Sequence, residues 1–167
     1  QHGVIPCGVG NRLGDSSRKY ILLDAKGNVI RDFGGFAGRD RTFHEGLLAL
    51  RGVGWVNPEG EVVIPKGDYY GIDIFSEGMA LVARNTEKGI LVGYVNRSGK
   101  EVIPCHYKNG KDFHSGVAWV ENPGGRWQVI DKSGEVVADV PFGFDYVTEF
   151  SEGRAFVLTD EEKFIVN

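Results

Sequence analysis

The chain alternates short apolar segments with clusters of turn-forming residues. The apolar segments are rich in valine, isoleucine and aromatic residues, and glycine, asparagine, aspartate or proline separates them, which is typical of β-strands joined by tight turns. No apolar spacing of three to four residues persists for about three helical turns, so no helix is predicted. The pattern therefore predicts an all-β protein in which successive strands form a β-meander.

Two sequence landmarks, F-x-x-G and D/N-x-x-G, recur along the chain with one shared period. Within each landmark, successive glycines lie 32 to 39 residues apart. The positions common to all copies are the phenylalanines and glycines of the first landmark, Phe43, Gly46, Phe75, Gly78, Phe113, Gly116, Phe150 and Gly153, and the glycines of the second, Gly27, Gly60, Gly99 and Gly134. Two independent landmarks with the same period indicate tandem structural repeats.

The landmarks divide residues 1–167, interpreted as a single domain, into successive copies of one unit. The copies are a partial repeat, 1–19, then repeats 20–53, 54–92, 93–126 and 127–163, and a truncated repeat, 164–167. In the partial repeat we expect residues 9–13 to form a degenerate strand that leads into the strand at Tyr20, with residues 3–7 as the remnant of an earlier strand.

Each repeat is predicted to contain three strands, which we name A, B and C. Strand A precedes D/N-x-x-G, strand B follows it, and strand C follows F-x-x-G. Between A and B, the aspartate or asparagine side chain hydrogen-bonds forward to the backbone and the glycine accepts a positive φ. Pro65 and Pro104 are expected to end strand B because proline has no N–H to donate. Such repeats predict a solenoid-like or propeller-like array.

Strand C alternates, and its second and fourth residues are small or branched and apolar, as in Ala118 and Val120. These residues should face a core, because alternate residues of a strand share one face. The third residue is large and apolar in three copies: Leu81, Trp119 and Phe156. These three form either a second buried layer or an exposed groove for a peptide, a glycan or a neighbouring domain. In the latter case, the groove would be rimmed by tyrosines that precede strand C: Tyr69, Tyr70 and Tyr107.

The first F-x-x-G copy, Phe43-His44-Glu45-Gly46, looks like a catalytic motif when it is taken alone. The same third position holds a glutamate or a serine in the other copies: Glu77, Ser115 and Glu152. Because a catalytic carboxylate is rarely needed at several equivalent positions of one fold, we predict a structural role. The phenylalanine would anchor each bend in the core, and the glutamate or serine would satisfy backbone groups at the bend.

Composition and motif content narrow the classes of function. The formal net charge is −4, whereas a nucleic-acid surface normally shows a basic excess, so no nucleic-acid partner is predicted. No apolar run reaches the ~18 residues that a membrane span requires. The sequence has no P-loop, dinucleotide, zinc-hydrolase or serine-hydrolase motif, so we predict no catalytic residue and no cofactor.

The cysteines and histidines do not predict a metal site. Cys7 and Cys105 are either two separate small apolar residues or one bridge between distant parts of the chain. His44 and His114 lack the local spacing of zinc ligands. Cys105 and His106 are adjacent, and neighbouring residues of a strand point to opposite faces.

The repeat resembles the WG repeat, also called the KWG repeat, over roughly residues 20–167. That repeat is similar to W-G-Y-I-D-x-x-G-x-x-V-I-P, a spacer, and F-S-E-G-x-A-x-V. The matching residues are Trp127 and Tyr20 at the tryptophan, Gly54 and Gly93 at the glycine, Trp55 and Tyr94 at the next aromatic, Val63-Ile64-Pro65 and Val102-Ile103-Pro104, and Phe75–Gly78 and Phe150–Gly153. No copy has an intact W-G dipeptide, and the first repeat has R-D-F-G-G in place of I-P.

WG-repeat proteins are mostly bacterial, so the resemblance implies a bacterial protein. It also implies that further repeats or domains flank the repeats of this chain. We predict a non-enzymatic binding or adaptor module whose partner is a protein or a glycan. One alternative is a carbohydrate-active enzyme that uses acids of the spacers: Asp68, Asp73, Asp112, Asp139 and Asp145. Another is a structural spacer in a bacterial surface or secreted protein. An extracellular or cell-envelope location is expected in preference to the cytoplasm.

Overall fold

A computed structural model describes residues 5–9, 19–34, 42–140, 146–148, 150–158 and 163–166. Within these ranges the regular structure consists of antiparallel β-sheets, which confirms the predicted all-β class. The same ranges hold no helix long and apolar enough to cross a membrane. The chain divides into two compact units, Gln1–Ile74 and Phe75–Asn167. The interpretation as one domain stays a prediction.

The first unit contains two three-stranded meanders. The first sheet consists of β1 (Ile5–Val9), β2 (Lys19–Leu23) and β3 (Val29–Asp32), and the second of β4 (Leu48–Leu50), β5 (Gly54–Val56) and β6 (Val62–Pro65). Strand A is the central strand of both sheets, and strand B forms one edge.

A further strand, β7 (Gly71–Ser76), leads from the first unit into the second, which holds three more sheets. Their strands are β8 (Met79–Thr86), β9 (Gly89–Asn96) and β10 (Glu101–Tyr107); β11 (Asn109–Gly110), β12 (Val117–Glu121), β13 (Trp127–Asp131) and β14 (Val136–Asp139); and β15 (Tyr146–Val147), β16 (Ala155–Leu158) and β17 (Lys163–Val166). Strand C pairs with strand A of the next sequence repeat, as β12 does with β13. A sheet therefore combines parts of two sequence repeats.

Three of the sheets contain a strand beyond the predicted strands A, B and C. The strands β7, β11 and β15 precede strand C and lie beside it in the sheet. Two of them contain only two residues each, Asn109–Gly110 and Tyr146–Val147. Two-residue segments show no alternation of apolar and polar residues, which is why the sequence pattern did not reveal β11 and β15.

The turn between strands A and B has the predicted mechanism. In the fourth repeat the Oδ1 atom of Asp131 accepts hydrogen bonds from the backbone N–H groups of Ser133 and Glu135, at 2.9 and 3.0 Å. Gly134 adopts a φ of 88°. The Ser133 hydroxyl also donates to Asp131 at 2.6 Å, and these hydrogen bonds together hold the pKa of Asp131 below its ordinary value despite partial desolvation. Asp24, Asn57 and Asn96 make equivalent bonds.

The two prolines of strand B behave differently. Pro65 ends β6 as predicted, but β10 continues through Pro104 to Tyr107, with an irregular register after Ile103. The prediction for Pro104 is therefore wrong. Because β10 is an edge strand, a proline there removes no hydrogen bond that a further strand would need.

The N-terminal strand also differs from the prediction. Its pairing with β2 uses Ile5–Val9, with Ile5 opposite Leu23 and Val9 opposite Lys19. The strand beside β2 is therefore Ile5–Val9, which overlaps the predicted strand at residues 9–13 only at Val9. Ile5 and Val9 are β-branched, which favours a strand at this position. Residues 10–18 lie outside the described ranges.

The sheet of β11 to β14 is covered on both faces. One face packs on the preceding sheet through a first core cluster that includes Tyr94, Ile103, Phe113, Ala118, Val120 and Ile130. The other face packs on the following sheet through a second core cluster that includes Trp119, Val129, Val147, Phe150, Ala155 and Val157. The predicted core role of Ala118 and Val120 is confirmed, and alternate residues of strand C contact different sheets.

A close approach of strands A and B explains the glycine of strand A. A Cβ atom on Gly93 would lie 2.7 Å from the backbone nitrogen of Cys105 and would also clash with the carbonyl oxygen of Ile103. Gly54 has the same surroundings at Pro65. Glycine is therefore required where strand B carries I-P.

Candidate functional site

The F-x-x-G segments form two-residue hairpin turns. Their third residues have positive φ angles of 50° to 55° and their glycines of 73° to 81°. Positive φ at both central residues defines a type I′ turn. The flanking residues bridge across the turn, as His114 does with Val117. The glycine is therefore required by the turn, and a glutamate at the third position is held in a conformation that costs roughly 1 kcal/mol.

The carboxylate of Glu77 binds the turn of the following repeat. Its Oε1 accepts a hydrogen bond from the backbone N–H of Ser115 at 2.6 Å, and its Oε2 accepts one from Gly116 at 2.9 Å. The sequence pattern predicted that the glutamate satisfies backbone groups at its own bend. In the structure Glu77 satisfies the equivalent bend one repeat later, because the two turns lie side by side.

Two further side chains strengthen this turn-to-turn contact. The Ser76 hydroxyl donates to the carbonyl oxygen of Phe113 at 2.7 Å, and Lys132 Nζ lies 3.2 Å from the Glu77 carboxylate. Desolvation raises the pKa of Glu77, but the hydrogen bonds from Gly116, Lys132 and Ser115 outweigh it and leave the pKa below its ordinary value. The carboxylate is therefore ionised and fully engaged at neutral pH.

The phenylalanines of F-x-x-G anchor the turns, as predicted. Phe75, Phe113 and Phe150 are buried, and Phe43 is half-buried against a smaller cluster of Leu48, Leu50 and Val56 in the first unit. Phe113 contacts Tyr94 edge to face, with ring centroids 4.9 Å apart. The Tyr94 hydroxyl donates to the carbonyl oxygen of Lys111 at 2.7 Å. Burial, followed by the nearby charge of Asp112, raises the pKa of Tyr94 well above its ordinary value.

The predicted stripe of third strand-C residues does not form one exposed surface. Trp119 is only 1% exposed, and its ring stacks on Phe150 at a centroid distance of 5.2 Å. Leu81 is half-buried and packs against the first core cluster. Phe156, by contrast, is 60% exposed. For Trp119 the buried-layer interpretation is confirmed, since the following sheet covers it.

The three tyrosines that were predicted to rim the groove also differ in their exposure to solvent. Tyr69 and Tyr107 are buried, whereas Tyr70 is 55% exposed. Burial raises the pKa of the Tyr107 hydroxyl, and its ring lies beside that of His106 with centroids 4.0 Å apart. Of the six candidate binding residues, Tyr70 and Phe156 are therefore the most accessible to a partner.

In the described part of the chain, the candidate metal ligands do not come together in one site. No group of three histidine, cysteine, aspartate or glutamate side chains there is placed to hold a metal ion. His44 Nε2 lies 2.8 Å from the Thr42 hydroxyl, and Cys105 Sγ lies 3.9 Å from the Val82 carbonyl oxygen. Asp73 accepts from the Ile74 backbone. Asp145 and the side chain of Cys7 lie outside the described atoms.

Strand B carries an exposed apolar surface that was not predicted from the sequence. The first two residues of strand B are apolar and exposed in three repeats: Val29 and Ile30, Val62 and Val63, and Val136 and Val137. They belong to β3, β6 and β14, each of which is an edge strand of its sheet. We call these three pairs the strand-B edge. The adjacency of two valines was a usable signal, because one of two neighbours on an edge strand must face away from any single-sided core.

Comparison with known proteins supports the repeat assignment. A family model described as "WG containing repeat" matches residues 54–85, 93–127 and 129–162. No curated protein matches the chain. The matched segments begin at or near strand A and end at or after strand C, so they follow the period of the two landmarks. Because the matched segments cover more than half of its residues, the chain belongs to the WG-repeat family.

Proposed function

We propose that the chain is a non-enzymatic binding module that accepts an extended segment of a protein partner along the strand-B edge. The observation that carries this proposal is the exposure of adjacent apolar residues on edge strands: Val63 is 50% exposed and Val137 is 54% exposed. Apolar pairs at the same position of several repeats give a partner the same contact more than once.

The chemistry of a sheet edge favours a peptide over a glycan. The outer side of an edge strand carries N–H and C=O groups that no neighbouring strand uses, and an added strand can pair with them. Alternate side chains of such an added strand would contact the two valines of a pair, which point to opposite faces of the sheet. Pro65 limits the pairing on β6 to the residues before it.

The proposal includes the arrangement of the repeats. A solenoid-like or propeller-like array would offer a strand-B edge on more than one repeat, so that successive extended stretches of one partner chain could each add a strand. Binding by edges leaves the buried residues of strand C to hold the sheets together. In this proposal Trp119 is a core residue and not a contact residue.

Selection from a displayed library of linear peptides tests the proposed function. We expect peptides enriched in β-branched and aromatic residues to bind the full chain. Val63→Lys and Val137→Lys should each weaken binding at least about tenfold, because a charge at an edge opposes strand addition. The matched control is Ile90→Lys, since Ile90 is equally exposed, at 49%, but lies on a central strand. Equal losses for all three variants, or selection of no peptide, would contradict the proposal.

A further inference from the structure

The strand-B edges differ at one backbone position, and this difference indicates the chemistry of the segment that binds. We propose that a partner strand adds to β14 in antiparallel orientation and carries a lysine or an arginine opposite Asp139. Such a segment is one case of the extended partner in the proposed function, on which this assignment rests.

One residue near the end of each strand B directs its backbone away from strand A. In β14 the next residue, Val140, donates its N–H to β13 at 3.3 Å. Because successive N–H groups of a strand point to opposite sides, the N–H of Asp139 points outward. By the same rule Pro65 of β6 faces outward, since Lys66 donates to the carbonyl oxygen of Val53 at 3.0 Å. Proline therefore removes from β6 an N–H that an added strand would use, and aspartate keeps it in β14.

An aspartate also holds this position in β3, but the two carboxylates have different surroundings. Asp32 of β3 accepts a hydrogen bond from the backbone N–H of Gly34 at 2.9 Å, within its own segment. The exposed Asp139 accepts one from Gln128 through Oδ1 at 3.2 Å. Since two carboxylate oxygens together offer about four lone pairs, Asp139 can accept a further hydrogen bond from a cationic side chain of a partner.

The charges along β14 favour a basic segment. Glu135, directly before the strand, and Asp139, at its end, are both exposed, and they flank Val136 and Val137. Side chains directly opposite each other in an antiparallel pair are in contact, so opposite charges there stabilise the pair. A segment with a basic residue opposite Asp139, apolar residues opposite the valines and a second basic residue opposite Glu135 complements this pattern.

The same charges disfavour a second copy of the chain as the occupant. In an antiparallel pair of two β14 strands, a two-fold axis at Val137 would place Glu135 of one copy opposite Asp139 of the other. Like charges directly opposite each other destabilise a strand pair. The charge pattern of β14 therefore selects a segment of different sequence.

Binding of two synthetic peptides to the full chain, followed by calorimetry at physiological ionic strength, tests the proposal. The basic peptide T-K-T-V-V-K-T should bind at least about tenfold more tightly than the acidic peptide T-E-T-V-V-E-T, because both charge contacts change sign. Asp139→Lys should weaken binding of the basic peptide at least about fivefold and strengthen binding of the acidic one. Glu87→Lys is the matched control, since it makes the same charge change at an exposed turn outside β14, and it should leave the preference unchanged.

A pair of backbone variants separates strand addition from simple charge attraction. Gln128→Gly with Asp139→Pro installs the facing residues of the second repeat, Gly54 and Pro65. Gln128→Gly with Asp139→Asn removes the same charge but keeps the outward N–H. The proline variant should bind the basic peptide at least about fivefold more weakly than the asparagine variant, while urea denaturation shows both to be folded.

The outcomes distinguish this assignment from the proposed function. Peptides that bind the chain without a preference for basic residues would overturn the assignment and leave the proposed function standing. Equal binding by the proline and asparagine variants would do the same. Failure of both the synthetic and the library-selected peptides to bind would contradict the proposed function itself.

Discussion

At the scale of single residues, the requirement for glycine has two separate causes. The glycines of the turns need positive φ angles, whereas Gly93 has no positive φ and is required by the backbone that lies opposite it. In the first and fourth repeats, strand A has no glycine at the position equivalent to Gly93, and strand B has no proline opposite it. These repeats carry Ile21 and Gln128 at this position, and aspartates stand opposite them in place of proline. Glycine in strand A and proline in strand B therefore occur together.

Replacement of Gly93 by alanine measures this contact. We expect Gly93→Ala to lower the free energy of unfolding by about 2–3 kcal/mol, because the new methyl group overlaps the Ile103 and Cys105 backbone. Gly124→Ala is the control, since its Cβ would meet only the end of the Asn122 side chain, at 3.2 Å. Denaturation in urea gives both values. A loss of similar size in both variants would argue against the close approach of the two strands.

At the scale of elements, neighbouring turns are joined by side chains, and the bond from Glu77 reaches a turn 38 and 39 residues later. The period and the turn glycines could be predicted from the sequence because they depend on local φ requirements. The partner of Glu77 could not, because it depends on which turns lie side by side after folding. The third copy, with Ser115 in place of glutamate, lacks a carboxylate for such a bond.

The Glu77 contact predicts a dependence of stability on pH. Its folded-state pKa is lowered, so its stabilisation is fully present above the ordinary carboxyl value of 4.5 and is lost as the pH falls through the lower folded value. We expect Glu77→Gln to reduce the free energy of unfolding by about 1–2 kcal/mol at neutral pH. The difference from the unmodified chain should shrink as the pH falls below 4.5.

Thermal unfolding over a pH series measures the effect of Glu77, with Glu59→Gln as the control because Glu59 is an exposed turn residue. A constant difference between Glu77→Gln and the unmodified chain across the acidic range would show that the ionised carboxylate does not provide the stabilisation.

At the scale of the whole molecule, a side chain of strand C is buried where a neighbouring sheet covers it. Its position in the repeat does not decide its burial. Trp119 and Phe156 have equivalent positions in strand C, yet one is buried and the other exposed. The sequence pattern predicted the strand, its alternation and the large apolar side chain. It could not predict which copies are covered, because that depends on a neighbouring sheet far away in sequence. The short strands β11 and β15 escaped prediction for a similar reason, since they are defined by pairing with strand C.

A pair of truncations at these equivalent positions measures how much the covering sheet contributes. Trp119→Ala should lower the free energy of unfolding by about 3–5 kcal/mol, because it leaves a cavity against Phe150 between two sheets. Phe156→Ala should lower it by less than about 1 kcal/mol, because Phe156 is 60% exposed. Urea denaturation gives both values, and hydrogen exchange should show lost protection in β12 and β16 for Trp119→Ala alone. Comparable losses for the two variants would mean that Phe156 is as well covered in solution as Trp119.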